Sequence, residues 1–275
     1  VNKGVFTSCK KTDKCPPWSI SAKKIKHDKD KKLVIYDQAV LKVYDIPVLY
    51  YPKFFHPDPT VKRQSGFLKP QLSDSKLLGS SLYIPYFKVL SDNRDMTFQS
   101  TLFDTDIKMF QTEYRQENKR SSLSADIALT TGYKSELDSN NKSLTHIFGK
   151  YHKYLNLDNF IKSDLDISLQ RVSNDTYLKV FDNNLKPSLF SLKPEDKDSM
   201  TSEINVSLEH EKYNFSTSVQ AHEALRGRNS DRYSYTLPSY SLTTSFFENE
   251  IDGSLNLTSE GSNSLSSTNN LRTRL

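Results

Sequence analysis

SLSADIALTTGYK, residues 122–134, puts Leu123, Ala125, Ile127, Leu129 and Tyr133 on one face of an extended chain and Ser122, Ser124, Asp126 and Thr130 on the other. Successive side chains of a strand point to opposite faces, so this period of two marks a half-buried β-strand. MTFQSTLF (96–103), SEINVSLEHE (202–211) and NFSTSVQAH (214–222) repeat it, with Ile204, Val206 and Leu208 alternating with Glu203, Asn205, Ser207 and Glu209. Beyond about Gly79 such segments run to roughly nine to twelve residues, the length a tilted strand needs to cross a bilayer. ELDSNNKS (136–143) and KPEDKDS (193–199) read as polar loops between them. A membrane barrel turns the apolar face outward and a soluble sandwich turns it inward, and the alternation fits both.

Upstream, WSISAKKIKH (18–27), KKLVIYD (31–37), AVLKVYD (39–45) and PVLYYP (47–52) read as short strands separated by charged turns. They make an antiparallel sheet with one apolar face, in a stretch of about 35 residues that is too short to supply the covering layer as well. Residues 53–74 carry Pro57, Pro59 and Pro70 and no sustained periodicity, which predicts an extended connection. The predicted organisation is a sheet domain over 1–55, a proline-rich crossing over 56–77 and a long strand series over 78–275. The fold class is all-β, with roughly eight to ten strands in the series.

Composition narrows the function classes. Hydrophobic residues make up 35% of the 275 and the mean hydropathy is −0.65, which is thin for a closed soluble core and suits one-sided elements. No stretch approaches the 18 or so apolar residues of a transmembrane helix. The net charge of +5 is spread out except for Lys23, Lys24, Lys26, Lys29, Lys31 and Lys32, a run that reads as a solvated strand face and lacks the aromatic interleaving of a nucleic-acid site. The histidines, His27, His56, His146, His152, His210 and His222, are scattered without ligand spacing, so no metal site, cofactor or catalytic centre is expected. Cys9 and Cys15 supply only half the thiolates of a four-ligand zinc site; they read as disulfide candidates, bonded to each other or to cysteines of a longer chain. The chain starts at Val1, with no signal region, and stops at Leu275 without an aromatic terminal strand, so it reads as an internal piece.

PVLYYPKFFHPDPTVKRQSGFLKP (47–70) followed by LGSSLYIPYFKVLSDNRDMTFQSTLF (78–103) resembles the passage in the LPS-assembly protein LptD family that leaves a periplasmic jellyroll and enters an outer-membrane barrel. TSCKKTDKCPPWSISAKKI (7–25) is similar to the two-cysteine version of alphaproteobacterial members, and HIFGKYHKYLNLDNFIKSDLDISLQRVSNDTYLKVFD (146–182) to a further family stretch. The resemblance covers nearly the whole chain and weakens after about Glu250. It implies the C-terminal rungs of a jellyroll before an incomplete outer-membrane β-barrel, and a role in lipopolysaccharide export into the outer leaflet without covalent chemistry. It further implies a plug lipoprotein, LptE, a periplasmic bridge, LptA, and contact with outer-membrane lipid, the N-terminal part lying in the periplasm.

Site residues follow from the same resemblance. Pro85 falls inside an otherwise regular strand, cannot donate to the ladder, and takes the family's place for a lateral gate in the first barrel strand; the second proline the family often carries in the next strand aligns with Ser100. Cys9 and Cys15 take the place where the family anchors a bridge to the distal barrel, beside the local alternative. Trp18, Ile20, Leu33, Ile35, Val40 and Val43 are candidates for lining the lipid groove or packing the core. The rival reading is an outer-membrane barrel enzyme acting on lipid, which would need a Ser and His pair on the strands of the barrel rim; a soluble carbohydrate-binding sandwich comes third.

Overall fold

The computed structural model describes residues 2–7, 18–30, 32–58, 60–61, 63–135, 138–185, 192–226, 232–248, 253–266 and 270–274. The chain divides between Gln64 and Ser65 into two units, each with its own antiparallel sheet.

The first unit is a sheet in the order β1-β2-β3-β4, formed by β1 (Asn2–Phe6), β2 (Trp18–Asp28), β3 (Leu33–Val43) and β4 (Ile46–Pro57). Tyr44 and Asp45, both at positive φ, close β3 to β4 as a two-residue turn between the paired Val43 and Ile46, the geometry whose twist matches a hairpin. β4 carries Pro47, Pro52 and Pro57 and pairs only with β3 among the described residues. A strand with missing N–H groups sits at an edge. The core is Ala22, Tyr36 and Ala39, with Ile20, Ile25, Val34 and Phe54 packed on it.

The second unit is an up-and-down sheet of 13 strands. It begins with β5 (Gly66–Phe67) and β6 (Gln71–Ser75), both paired with β7 (Gly79–Ser91). Then come β8 (Arg94–Phe103), β9 (Lys108–Asn118), β10 (Ser121–Ser135), β11 (Asp138–Tyr154) and β12 (Lys162–Val172). A short helix, α1 (Tyr177–Phe181), precedes β13 (Ser199–Glu209), β14 (Tyr213–Ala224), β15 (Tyr233–Glu248), β16 (Gly253–Ser266) and β17 (Asn270–Arg274). From β6 onward each strand pairs with the next in sequence. The count exceeds the expected series because β15 to β17 are rich in Ser, Thr and Asn and alternate weakly, and because β5 and β6 emerge from the stretch expected to be a crossing.

The two faces of this sheet are chemically opposite. Gln99, Gln111, Glu113, Asp126 and Thr130 are buried on the inner face, the one covered by α1, while Phe98, Phe110, Ile127, Leu129, Ile147, Leu169, Ile204 and Val219 are exposed on the outer one. Cross-strand pairs extend that outer surface: Phe110 faces Leu129, Ile127 faces Ile147, and Ile204 stands between Ile167 and Val219. One end of the sheet has the connections 92–93, 119–120, 155–161 and 210–212; the other has the short connections 76–78 and 104–107 and the longer 173–198 and 225–232.

Gly132 makes one rim connection possible. It lies at φ +79 between register shifts in β10, and a Cβ there would stand 2.2 Å from the backbone oxygen of Asp106. Gly132→Ala is expected to destabilise the sheet by about 1–3 kcal/mol, seen as a lower urea midpoint for the heat-modifiable folded band on gels; an unchanged midpoint would show that the rim accommodates the methyl group.

Candidate functional site

The inner face carries a connected polar network at mid-height. Gln111 donates from Nε2 to both carboxylate oxygens of Asp126, at 2.9 and 2.8 Å. Arg115 reaches Asp95 at 2.6 Å and Glu113 at 3.3 Å and lies 5.9 Å from the Phe87 ring centroid. These groups are next-but-one neighbours on β9 or cross-strand partners on β8 and β10, so period two alone brings them to one wall. Nearer the turns, Ser122 stands opposite His152, and His152 opposite Asp166, with Nδ1 of the imidazole 2.7 Å from the carboxylate. The rival enzyme reading asked for such a row, but Nε2 of His152 has no hydrogen-bond partner, so the Ser–His bond of a nucleophilic site is not formed.

At the long-loop end, residues 173–185 and 192–198 lie over the inner face. Asn174 Oδ1 accepts from the Thr176 N–H at 2.8 Å and from its hydroxyl at 2.7 Å, which starts α1. Tyr177, Leu178 and Phe181, all essentially unexposed, join Phe103, Met109, Leu144, Phe148 and Met200 in an apolar cluster. Burial raises the Tyr177 hydroxyl, whose oxygen lies at hydrogen-bond distance, 2.9 Å, from His146 Nδ1. The imidazole Nε2 lies 3.3 Å from the Asp126 carboxylate. A second tie is ionic. Asp182 pairs with Lys193 and, at 2.6 Å, with Lys197; Asp198 pairs with Arg226 and, at 2.7 Å, with Lys179. The sequence reading passed over this cap, although the helical spacing of Tyr177, Leu178 and Phe181 within a polar stretch marks it.

Among the described residues β5 and β6 form an edge of the sheet, with Pro70 between them and Pro85 in the adjoining β7. Pro85 lies in β7, flanked by β5 and β6 on one side and β8 on the other. Phe67 faces Tyr86 and Gln71 faces Tyr83, so Leu68, Lys69 and Pro70 lie against Ile84 and Pro85 alone. The Leu68 N–H donates to the Pro85 carbonyl at 2.9 Å. In an antiparallel ladder a residue's N–H and C=O point the same way, so the N–H that Pro85 lacks would also have pointed at this edge. Each missing bond costs about 1 kcal/mol. Ser100 faces Ile84 across the β7–β8 ladder.

In the first unit, Trp18 packs on Phe6 at 6.0 Å and stands opposite Val43, and Ile20 packs on the core. Tyr36, whose hydroxyl burial pushes up, bonds His56 Nε2 at 2.8 Å on that face. Val34 and Tyr36 belong to the core, so strand alternation turns Ile35 and Leu33 to the reverse face; Val40, next to the buried Ala39, also lies there. The six groove candidates are thus divided between the two faces. Cys9 and Cys15 lie outside the described residues.

No family model matches the chain. It is similar to the LPS-assembly protein LptD of Legionella pneumophila (strain Paris), 29% identical over 195 residues, which are 67% of this chain and 23% of that protein. The LptD of Pseudoalteromonas translucida is 30% identical over 65% of this chain and 23% of its own length, and that of Polaromonas sp. is 30% identical over 37% and 13%. The chain therefore spans about a quarter of the length of the relatives it matches over two thirds of its own. Among solved structures, Pseudomonas aeruginosa OccK1 aligns with 95% of this chain and 64% of its own at 7% identity and a TM-score of 0.31, and OccD1 with 98% and 68% at 9% and 0.28; likeness at that level carries no argument.

The ionic ties of the cap set a pH window. Burial opposes ionisation of Asp182, but bonds from Lys193 and Lys197 outweigh it, and bonds from Arg226 and Lys179 do the same for Asp198, so both carboxyls lie below the ordinary 3.8. A carboxyl depressed in the folded state stabilises above its unfolded pKa, and that contribution is lost as pH falls through the folded one. Hydrogen exchange of connection 173–198, corrected for intrinsic rate, should show protection at neutral pH and its loss only as pH falls below 3.8. Asp182→Asn should expose the connection at neutral pH. Equal protection in variant and parent would assign the cap to its apolar contacts alone.

Proposed function

We propose that the chain belongs to an outer-membrane lipopolysaccharide exporter of the LptD type. The second unit supplies N-terminal strands of a membrane β-barrel, and the first supplies the closing strands of a periplasmic jellyroll that carries lipid. The observation that carries this reading is the placement of the faces: outside the apolar cluster under the cap the buried face is polar, and the exposed face is apolar, the reverse of a soluble sandwich and the requirement of a wall facing lipid. Full burial of one such Leu, Ile or Phe is worth about 1.5–3 kcal/mol, so the outer face gains stability in hydrocarbon that it cannot find in water. The short-turn end is periplasmic and the long-loop end external, as in outer-membrane barrels generally. Similarity to several LptD proteins supports the substrate assignment.

In this reading the broken ladder at Pro70 and Pro85 is one lip of a lateral gate, since a seam short of hydrogen bonds parts most readily. Lipid chains leave along that lip while the saccharide follows the polar inner wall, and connection 173–198 covers its outer end. Trp18, Ile20 and Val43 line one face of the jellyroll sheet, and Leu33, Ile35 and Val40 the other. Cys9 and Cys15 form disulfides, the plug lipoprotein LptE fills the barrel, and the bridge protein LptA delivers the lipid. The two-cysteine segment favours an alphaproteobacterial type. The chemistry is transport, with no bond made or broken.

Leu82 lies on the outer face between Leu72 and Leu102, and Phe87 on the inner face near Arg115. With a photo-crosslinking residue at either position of the full-length protein, adducts to lipopolysaccharide should form in the outer membrane and should require an active supply from the periplasm. A correctly inserted barrel with no adduct at either site would overturn the reading.

A further inference from the structure

The outer face carries a slot that transport along the inner wall does not use. β12 and β13 stop pairing at Ser168 and Glu203, although β12 runs on to Val172 and β13 starts at Ser199. Their outer neighbours remain in register along this stretch: His146 faces Val172, and Ser199 faces Ala224. Side chains replace the missing ladder. Ser202 Oγ accepts from the Gln170 N–H at 3.0 Å and lies 3.3 Å from the Gln170 carbonyl; Gln170 Oε1 accepts from the Thr201 N–H at 2.8 Å. The Gln170 N–H and C=O and the Thr201 N–H thereby find side-chain partners across the open seam.

The slot holds about 310 Å³, within the range of small-ligand sites. Its walls are Ile147, Leu169, Ala221 and Tyr235, with the buried Met200 among the lining. Toward the long-loop end the chemistry changes. Arg171 donates from Nη1 to Glu223 at 3.1 Å and to the Tyr233 hydroxyl at 3.3 Å. Both bonds use one nitrogen of a side chain that is 58% exposed, leaving Nε and Nη2 as donors. Glu223 is shared, with Arg232 Nε at 2.8 Å and the Tyr233 hydroxyl at 3.0 Å. Arg171 stands two residues beyond Leu169 on the same face, about 7 Å further along the strand, and is the last residue but one of β12. A guanidinium at that height lies at headgroup level above an apolar slot, and its planar fork matches phosphate.

The geometry points to this slot as a binding site for one phosphorylated glycolipid of the outer leaflet, an acyl chain lying between β12 and β13 and a phosphate on Arg171. The assignment rests on the outer-membrane reading, which makes the external leaflet lipopolysaccharide. The site lies on the wall, away from the proline edge, so its occupant is a resident lipid that packs the open seam, distinct from lipid in transit.

The test uses the full-length protein carrying this chain in phosphatidylcholine vesicles doped with lipid A, with a photo-crosslinking residue at Ala221 in the slot or at Val219, deeper on the same outer face. Labelling by lipid A at 221 should exceed that at 219 by about tenfold, the factor one charge-assisted hydrogen bond carries. Arg171→Gln should reduce it to the level at 219, and dephosphorylated lipid A should do the same with the protein unaltered, so a folding defect in the variant cannot mimic the result. Equal labelling at the two positions, indifference to the phosphates, or equal labelling from phosphatidylglycerol vesicles would overturn the assignment. The vesicles contain no transport machinery, so failure here leaves the Leu82 and Phe87 adducts untouched, and failure of those adducts leaves this result untouched.

Discussion

The structure of the second unit depends on the backbone ladder. A wall one strand thick, apolar outside, has no second layer to share its polar groups with, so each N–H and C=O must find a partner in the neighbouring strand or in a side chain inserted for the purpose. Over most of the sheet consecutive strands meet this requirement in unbroken register. The places where the ladder fails are therefore informative. Besides the register shifts in β10, β7, β14 and β15, two stand out: the edge at Pro70 and Pro85, where donors are chemically absent, and the upper seam between β12 and β13, where Gln170 and Ser202 supply bonds the backbone does not make.

The cap over the inner face follows from the same seam. The connection that leaves β12 and returns as β13 is long enough to fold back, and Tyr177, Leu178 and Phe181 bury against residues of β8, β9 and β11. Polar anchoring then fixes its position, through the Tyr177–His146 bond on one side and the carboxylates Asp182 and Asp198 on the other. Apolar burial supplies the larger share of the free energy, while the buried hydroxyl–imidazole bond and the ion pairs restrict where the cap can sit.

The first unit shows the same economy on a smaller scale. Among the described residues the buried core of its sheet is Ala22, Tyr36 and Ala39, and β4 exposes Ile46, Val48, Tyr50 and Phe55. Pro47, Pro52 and Pro57 deprive β4 of three N–H donors, and because N–H direction alternates along a strand, one of Pro52 and Pro57 falls on the open edge. This limits pairing by hydrogen bonds and leaves apolar contact as the means of covering it.

By itself, the sequence determined the all-β class, the alternation of faces and the residues that share each face, because period two is a local property of extended chain and needs no partner to be read. Leu123, Ile127 and Leu129 were assigned to one side and Asp126 and Thr130 to the other on that ground alone. It also marked Pro85 as a fault in a ladder, since a missing N–H is a covalent fact. Tertiary structure decided which face is outer, which neighbour Pro85 fails, and that Pro70 lies against it, because those depend on register between strands. It likewise decided that Tyr177 meets His146, 31 positions away, and that Arg171 stands above an open seam: contacts between residues distant in sequence are set by packing, and packing leaves no period in the chain.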